Sequence, residues 1–117
     1  MYWGIDRSVN RLFVRIDGTT TPEERIENWR KILESWKPGG TGVISFAGTV
    51  IPLSLVEVDK FAKAAASKGI KKVAWLGQDP ATEEYVRAVI KVFDYNGVVS
   101  KWFQFGQEMF DWLNEEV

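Results

Sequence analysis

Three helix-start signals, at Thr21, Ser54 and Asp79, each fall between two short apolar runs, and this alternation restricts the fold more than any other feature of the sequence. Thr21-Pro22-Glu23-Glu24 joins an N-cap, a proline at the first helical position and a glutamate at N3, a set that satisfies the free amides of a first turn. Behind it Ile26, Trp29, Ile32, Leu33 and Trp36 recur at helical spacing, with Glu27 and Lys31 able to pair on the outer face. Pro38-Gly39-Gly40 ends that helix. Ser54 and Glu57 form a second capping box ahead of an inner face of Leu55, Val58, Phe61, Ala62 and Ala65, and Gly69 supplies the left-handed cap. Asp79-Pro80 opens a third helix carrying Tyr85, Val86, Val89, Val92 and Phe93, which Asn96-Gly97 closes.

The apolar runs between these helices read as strands. Tyr2–Asp6 and Arg11–Asp17 form an opening hairpin, in which Leu12, Val14 and Ile16 share one face and Arg11, Phe13 and Arg15 share a wetter one. Val43–Ala47 and Val73–Leu76 are nearly continuous apolar runs, as strands covered on both faces require. Val98–Phe105 makes a last strand, which Lys101 marks as an edge, and Gln107–Val117 a closing amphipathic helix through Met109, Phe110 and Leu113. Strands alternating with helices imply parallel crossovers. The expected fold is therefore one α/β domain over residues 1–117, with a mixed, mostly parallel five-stranded sheet and about four helices in the order β-β-α-β-α-β-α-β-α.

Composition closes off several kinds of function. Without Cys, the chain has no disulfides, zinc thiolates or cysteine nucleophile; without His, it lacks the usual base near neutral pH and the commonest metal ligand, so neither a metal nor a cofactor is expected. A net charge of -1 gives no global basic field for a nucleic acid. The stretch from Pro38 to Val56 is uncharged and close to the ~20 residues of a spanning helix, but its Gly, Pro, Ser and Thr content reads as loop, strand and helix entry. With no basic and apolar leader at Met1, a cytoplasmic location is expected.

Several local features resemble the STAS/SpoIIAA-like family, best known for anti-sigma-factor antagonists, and in particular its single-domain bacterial STAS/SEC14-like branch. They are the hairpin leading into Thr21-Pro22-Glu23-Glu24, the strand Val43-Ile44-Ser45-Phe46 before Ser54, Val73-Ala74-Trp75-Leu76-Gly77-Gln78-Asp79-Pro80, and Trp102-Phe103-Gln104-Phe105 followed by Met109-Phe110-Asp111-Trp112-Leu113. The resemblance implies a SpoIIAA-like fold and a non-enzymatic regulatory or protein-interaction module without a cofactor. It places the family's phosphoacceptor serine at Ser54, within Ile51-Pro52-Leu53-Ser54-Leu55, where the motif's acidic residue and glycine are absent. The lipid-binding branch implies a hydrophobic ligand as the alternative.

Each candidate residue also has a plainer reading. Ser54 caps its helix whether or not it accepts a phosphate. Thr49, Ser54, Gln78, Asp79 and Thr82 lie on loops beyond the carboxyl ends of the third and fourth strands, where open parallel sheets bind ligands or partners; otherwise Asp79 is a cap and the rest are solvated loop. Lys60, Lys63, Lys68, Lys71 and Lys72 form either a patch for an acidic partner or a solvated helix end. Trp29, Trp36 and Trp75 are expected in the core, while Trp102, Phe103, Phe105 and Trp112, with Phe110 nearby, are expected to form an aromatic surface for a homodimer. Asp17, Asp79, Asp94 and Lys101 are the available acids and bases, and they stand on separate elements.

Overall fold

A computed structural model describes residues 1–115. The elements follow the expected order: β1 (Tyr2–Asp6), β2 (Arg11–Asp17), α1 (Pro22–Ser35), β3 (Thr41–Ala47), α2 (Leu55–Ser67), β4 (Lys72–Leu76), α3 (Pro80–Tyr95), β5 (Val99–Phe103) and α4 (Gly106–Asn114). The strands form one five-stranded sheet in the order β1-β2-β3-β4-β5; β1 and β2 are antiparallel and every later neighbour is parallel. Val43–Ala47 and Val73–Leu76 run side by side, Ile44 opposite Trp75.

Each parallel step moves one strand further in the same direction, so crossovers of one hand put their helices on one side of the sheet. The packing shows this: Leu12, Val14, Ile16, Ile44, Val73 and Trp75 meet Trp29, Ile32 and Trp36 of the α1 segment, Val58, Ala62 and Ala65 of α2, and Val86, Val89 and Phe93 of α3. The opposite face is covered only in part. There α4 sets Met109 and Leu113 against Val43, Ala74 and Phe103. Alternate residues of β3 and β4 thus enter two different cores, which is why both strands read as continuous apolar runs.

The caps form as their chemistry requires. Thr21, Ser54 and Asp79 each accept a backbone N–H from the residue three further on, Glu24, Glu57 and Thr82 respectively. Gly69 and Gly97 take positive φ at helix ends, +69° and +89°. Trp29, Trp36 and Trp75 are buried, and β5 is an edge strand.

Four elements differ from expectation at their ends: β3 begins at Thr41 and β4 at Lys72, ahead of the expected Val43 and Val73. The last strand is Val99–Phe103 rather than Val98–Phe105, because its one neighbour runs out: Leu76, the end of β4, pairs with Phe103. Helix α4 starts at Gly106 and ends at Asn114; the expected end at Val117 lies outside the described residues. Among the described residues no helix is long and apolar enough to cross a membrane.

Candidate functional site

The carboxyl ends of β3, β4 and β5 open onto a cleft of about 590 Å³, with Arg15, Ser45, Leu76, Gln78, Asp79 and Phe105 among its walls. Its position follows from the connections, since each parallel strand ends there and hands over to the loop before the next helix. Glycine is required at one point of the rim. A Cβ on Gly77 would stand 2.8 Å from the Trp102 ring, which lies across the β4–α3 turn.

The expected loop residues separate into three groups. Asp79 and Thr82 are tied together, with Thr49 on the loop beside them: the Asp79 carboxylate accepts the Thr82 backbone N–H at 2.9 Å. The Thr82 amide first, and the Thr49 hydroxyl next, hold the Asp79 carboxyl below its ordinary range. The Thr82 hydroxyl donates to the Gly48 carbonyl at 3.0 Å and accepts the Val50 N–H at 3.2 Å, which joins the β3–α2 loop to α3; Thr82 is itself buried. Gln78 is exposed and reaches the Gln104 carbonyl at 3.4 Å, bridging to the β5–α4 turn. Ser54 stands apart, exposed, with its hydroxyl accepting the Glu57 N–H at 3.3 Å.

Around Ser54 the chain leaves apolar side chains in solvent. Ile51 is 45% exposed, Val56 68% and Leu55, expected on the inner face of α2, 48%, since at the first helical position it lies beyond the packed stripe of Val58, Ala62 and Ala65.

The four candidate acids and bases are each engaged with their own neighbours. Asp17 accepts from the backbone N–H and hydroxyl of Thr19, Asp79 caps α3, Asp94 accepts the Ser100 N–H at 3.0 Å, and the Lys101 ammonium lies 5.4 Å from the Phe103 ring centre. The lysine group is similarly divided. Lys60 and Lys63 pair with Glu57 and Asp59, Lys68 donates to the Trp36 carbonyl beyond the end of α1, and Lys72 is buried, donating to the Trp112 carbonyl at 2.7 Å. The last two place a cation at a helix C-terminus, where the unpaired carbonyls favour it.

An aromatic cluster does form at the β5–α4 end, but much of it is internal. Phe103 is buried against Trp112, ring centres 5.4 Å apart, and Trp102 stacks on Phe46 at 6.4 Å. Phe105 and Phe110 are the members left in solvent, at 60% and 39%.

A second feature has no counterpart in the reading of the sequence. Arg25 is only 2% exposed, on the same stripe of α1 as Trp29 and Ile32. Its spacing of four residues from Trp29 is the signal that marks the position as inward-facing. The guanidinium donates through Nη2 to the Ile51 carbonyl, while Nε has no partner. Burial lowers its pKa, with the Tyr85 ring opposing. Tyr85, pushed up by its own burial, accepts the Leu53 N–H at 3.0 Å. Arg25, Thr82 and Tyr85 thereby fasten the β3–α2 loop by its backbone over a cavity of about 30 Å³ walled by Trp29, Phe46, Phe61, Trp75 and Phe93. No family model, curated protein or solved structure matches the chain.

Proposed function

We propose that this chain is a non-enzymatic protein-interaction module of the STAS/SpoIIAA-like type, working in the cytoplasm and meeting its protein partner through the β3–α2 loop and the start of α2. The observation that carries this reading is the solvent exposure of Ile51, Leu55 and Val56 on either side of Ser54. Apolar side chains grouped on a surface and flanked by polar ones suit association, and the loop that carries them is fixed from below, so little order is lost on binding. Ser54 sits where an added phosphate would place charge in the middle of that patch. The open cleft at the strand ends, with Arg15, Ser45 and Gln78 beside Leu76 and Phe105, favours a small-molecule ligand as the second reading.

The test is a photo-crosslinking residue at Val56, used in cells of the source organism, with Val56→Asp and Leu55→Asp as comparisons. The reading expects one partner at a defined stoichiometry in native mass spectrometry, reduced at least tenfold by either charge. Recovery of the same partner by both charged variants would rule out this surface. A retained small molecule with no bound protein would favour the cleft instead.

A further inference from the structure

We infer that the cavity between the sheet and the α1–α2–α3 layer is a binding site for a monocarboxylate with a compact apolar body, its carboxylate on Arg25 and its body among the aromatic rings. The inference rests on an imbalance of chemistry. Arg25 is buried, and among the described residues none of the ion pairs includes it. A buried cation ordinarily has an anion beside it, because hydrogen bonding alone does not replace its lost hydration. The other polar groups at the cavity repeat the pattern. Trp75 leaves its indole N–H without a partner, and the Tyr85 hydroxyl, having accepted from Leu53, retains a proton to donate. The polar groups left without an acceptor among the residues that line the cavity are therefore donors, one of them a cation. A carboxylate supplies the acceptors and the charge that match them.

The remaining wall is apolar: Ile16, Trp29, Phe46, Phe61, Val89 and Phe93. As it stands the space, about 30 Å³, holds no more than a water. Leu53 decides how it enlarges. Its side chain lines the cavity from the β3–α2 loop and is only partly buried, and the loop is attached through the three backbone groups that Arg25, Thr82 and Tyr85 hold. A ligand that accepts the free protons of Arg25 and Tyr85 leaves these attachments in place, and room for its body comes from the partly buried Leu53 side chain turning outward. A vacated leucine site of ~150 Å³ accepts a benzene-sized group. Benzoate and hexanoate are thus the fitting probes.

Thermal unfolding of the full chain at constant ionic strength tests the site, with benzoate and hexanoate set against benzyl alcohol and 1-hexanol. The carboxylates are expected to raise Tm by about 5–15 °C at a hundredfold excess over Kd, and the neutral twins to leave it unchanged. Arg25→Met, which removes the charge while keeping an apolar stem, is expected to abolish the shift, and Leu53→Ala to tighten benzoate binding about tenfold. A series from butyrate to palmitate separates two sources of the same chemistry: a maximum at about six carbons marks a free small acid, and a rise to the longest chain marks an acyl amphiphile. Wild-type protein that no carboxylate stabilises, or that benzyl alcohol stabilises equally, overturns the inference without need of any variant. It would leave the cavity as the seat of a single water, and would not bear on the partner surface outside it.

Discussion

Ser54 carries two roles that separate at the level of one side chain. As an N-cap it accepts the Glu57 N–H, a contact worth ~1 kcal/mol, so Ser54→Ala should lower unfolding free energy by about that amount in urea denaturation. Ser54→Asp should stay within a few tenths of wild type, because an aspartate caps equally well and its charge suits a helix N-terminus. Loss of partner binding by the stable Asp variant alone would then report charge rather than unfolding. Asp79 makes a related prediction about pH. Its carboxyl is held below the usual aspartate value of about 3.9, so its stabilisation is complete above that pH and fades as pH falls through the lower folded value. Compared with Asp79→Asn, wild type should hold a constant difference from pH 7 to about pH 5 and lose it on further acidification. Asp6, Asp17 and Asp59 are lowered too, but they are common to both proteins and cancel in the difference. Identical acid titrations of stability for the two proteins would show that the cap charge contributes nothing.

At the scale of elements, α4 is the exception among the helices. The N-caps of α1, α2 and α3 each accept a backbone bond through a side chain, whereas Phe105, the N-cap of α4, makes none. Glu108 already stands at the N3 position, so Phe105→Ser completes a capping box and should raise stability by ~1 kcal/mol, read as a higher urea midpoint at unchanged m. If Phe105 instead belongs to a homodimer surface, the same variant should gain this stability as a monomer while losing self-association in sedimentation equilibrium. What was legible in the sequence follows the same division. Caps and hydrophobic periods are local, so α1, α2, α3 and the first four strands are readable from neighbouring residues. The end of β5 is not, because it is fixed by the length of β4 beside it. Of the site, the loop positions of Thr49, Gln78 and Asp79 were readable from topology, and the hydrogen bonds by which Thr82 joins Asp79 to the β3–α2 loop were not. Arg25 and Lys72 were missed for one reason: a charged residue on an amphipathic pattern is assigned to solvent, while here the partners that bury it come from Ile51 and Trp112, distant in sequence.

For the whole molecule the decisive fact is that two cores share the same strands. Along β3, Val43 enters the α4 side and Ile44 the α1–α2–α3 side; along β4, Ala74 and Trp75 divide in the same way. Loosening either core removes support from strands that the other needs, which favours one cooperative transition over stepwise loss of α4. The ion pairs bear little on this balance, since the side-chain pairs are i,i+3 or i,i+4 contacts on exposed helix faces. Leu113→Ala is therefore expected to cost about 2–5 kcal/mol, the range for a buried leucine, and to shift the entire thermal transition rather than split it. Far-UV circular dichroism reports the helices and strands together, and near-UV signal reports the packed Trp and Phe rings on both faces. In the variant the two should superimpose at every temperature. A near-UV change that precedes the far-UV one would mean that α4 detaches first, and that the helix-covered side holds the sheet without it.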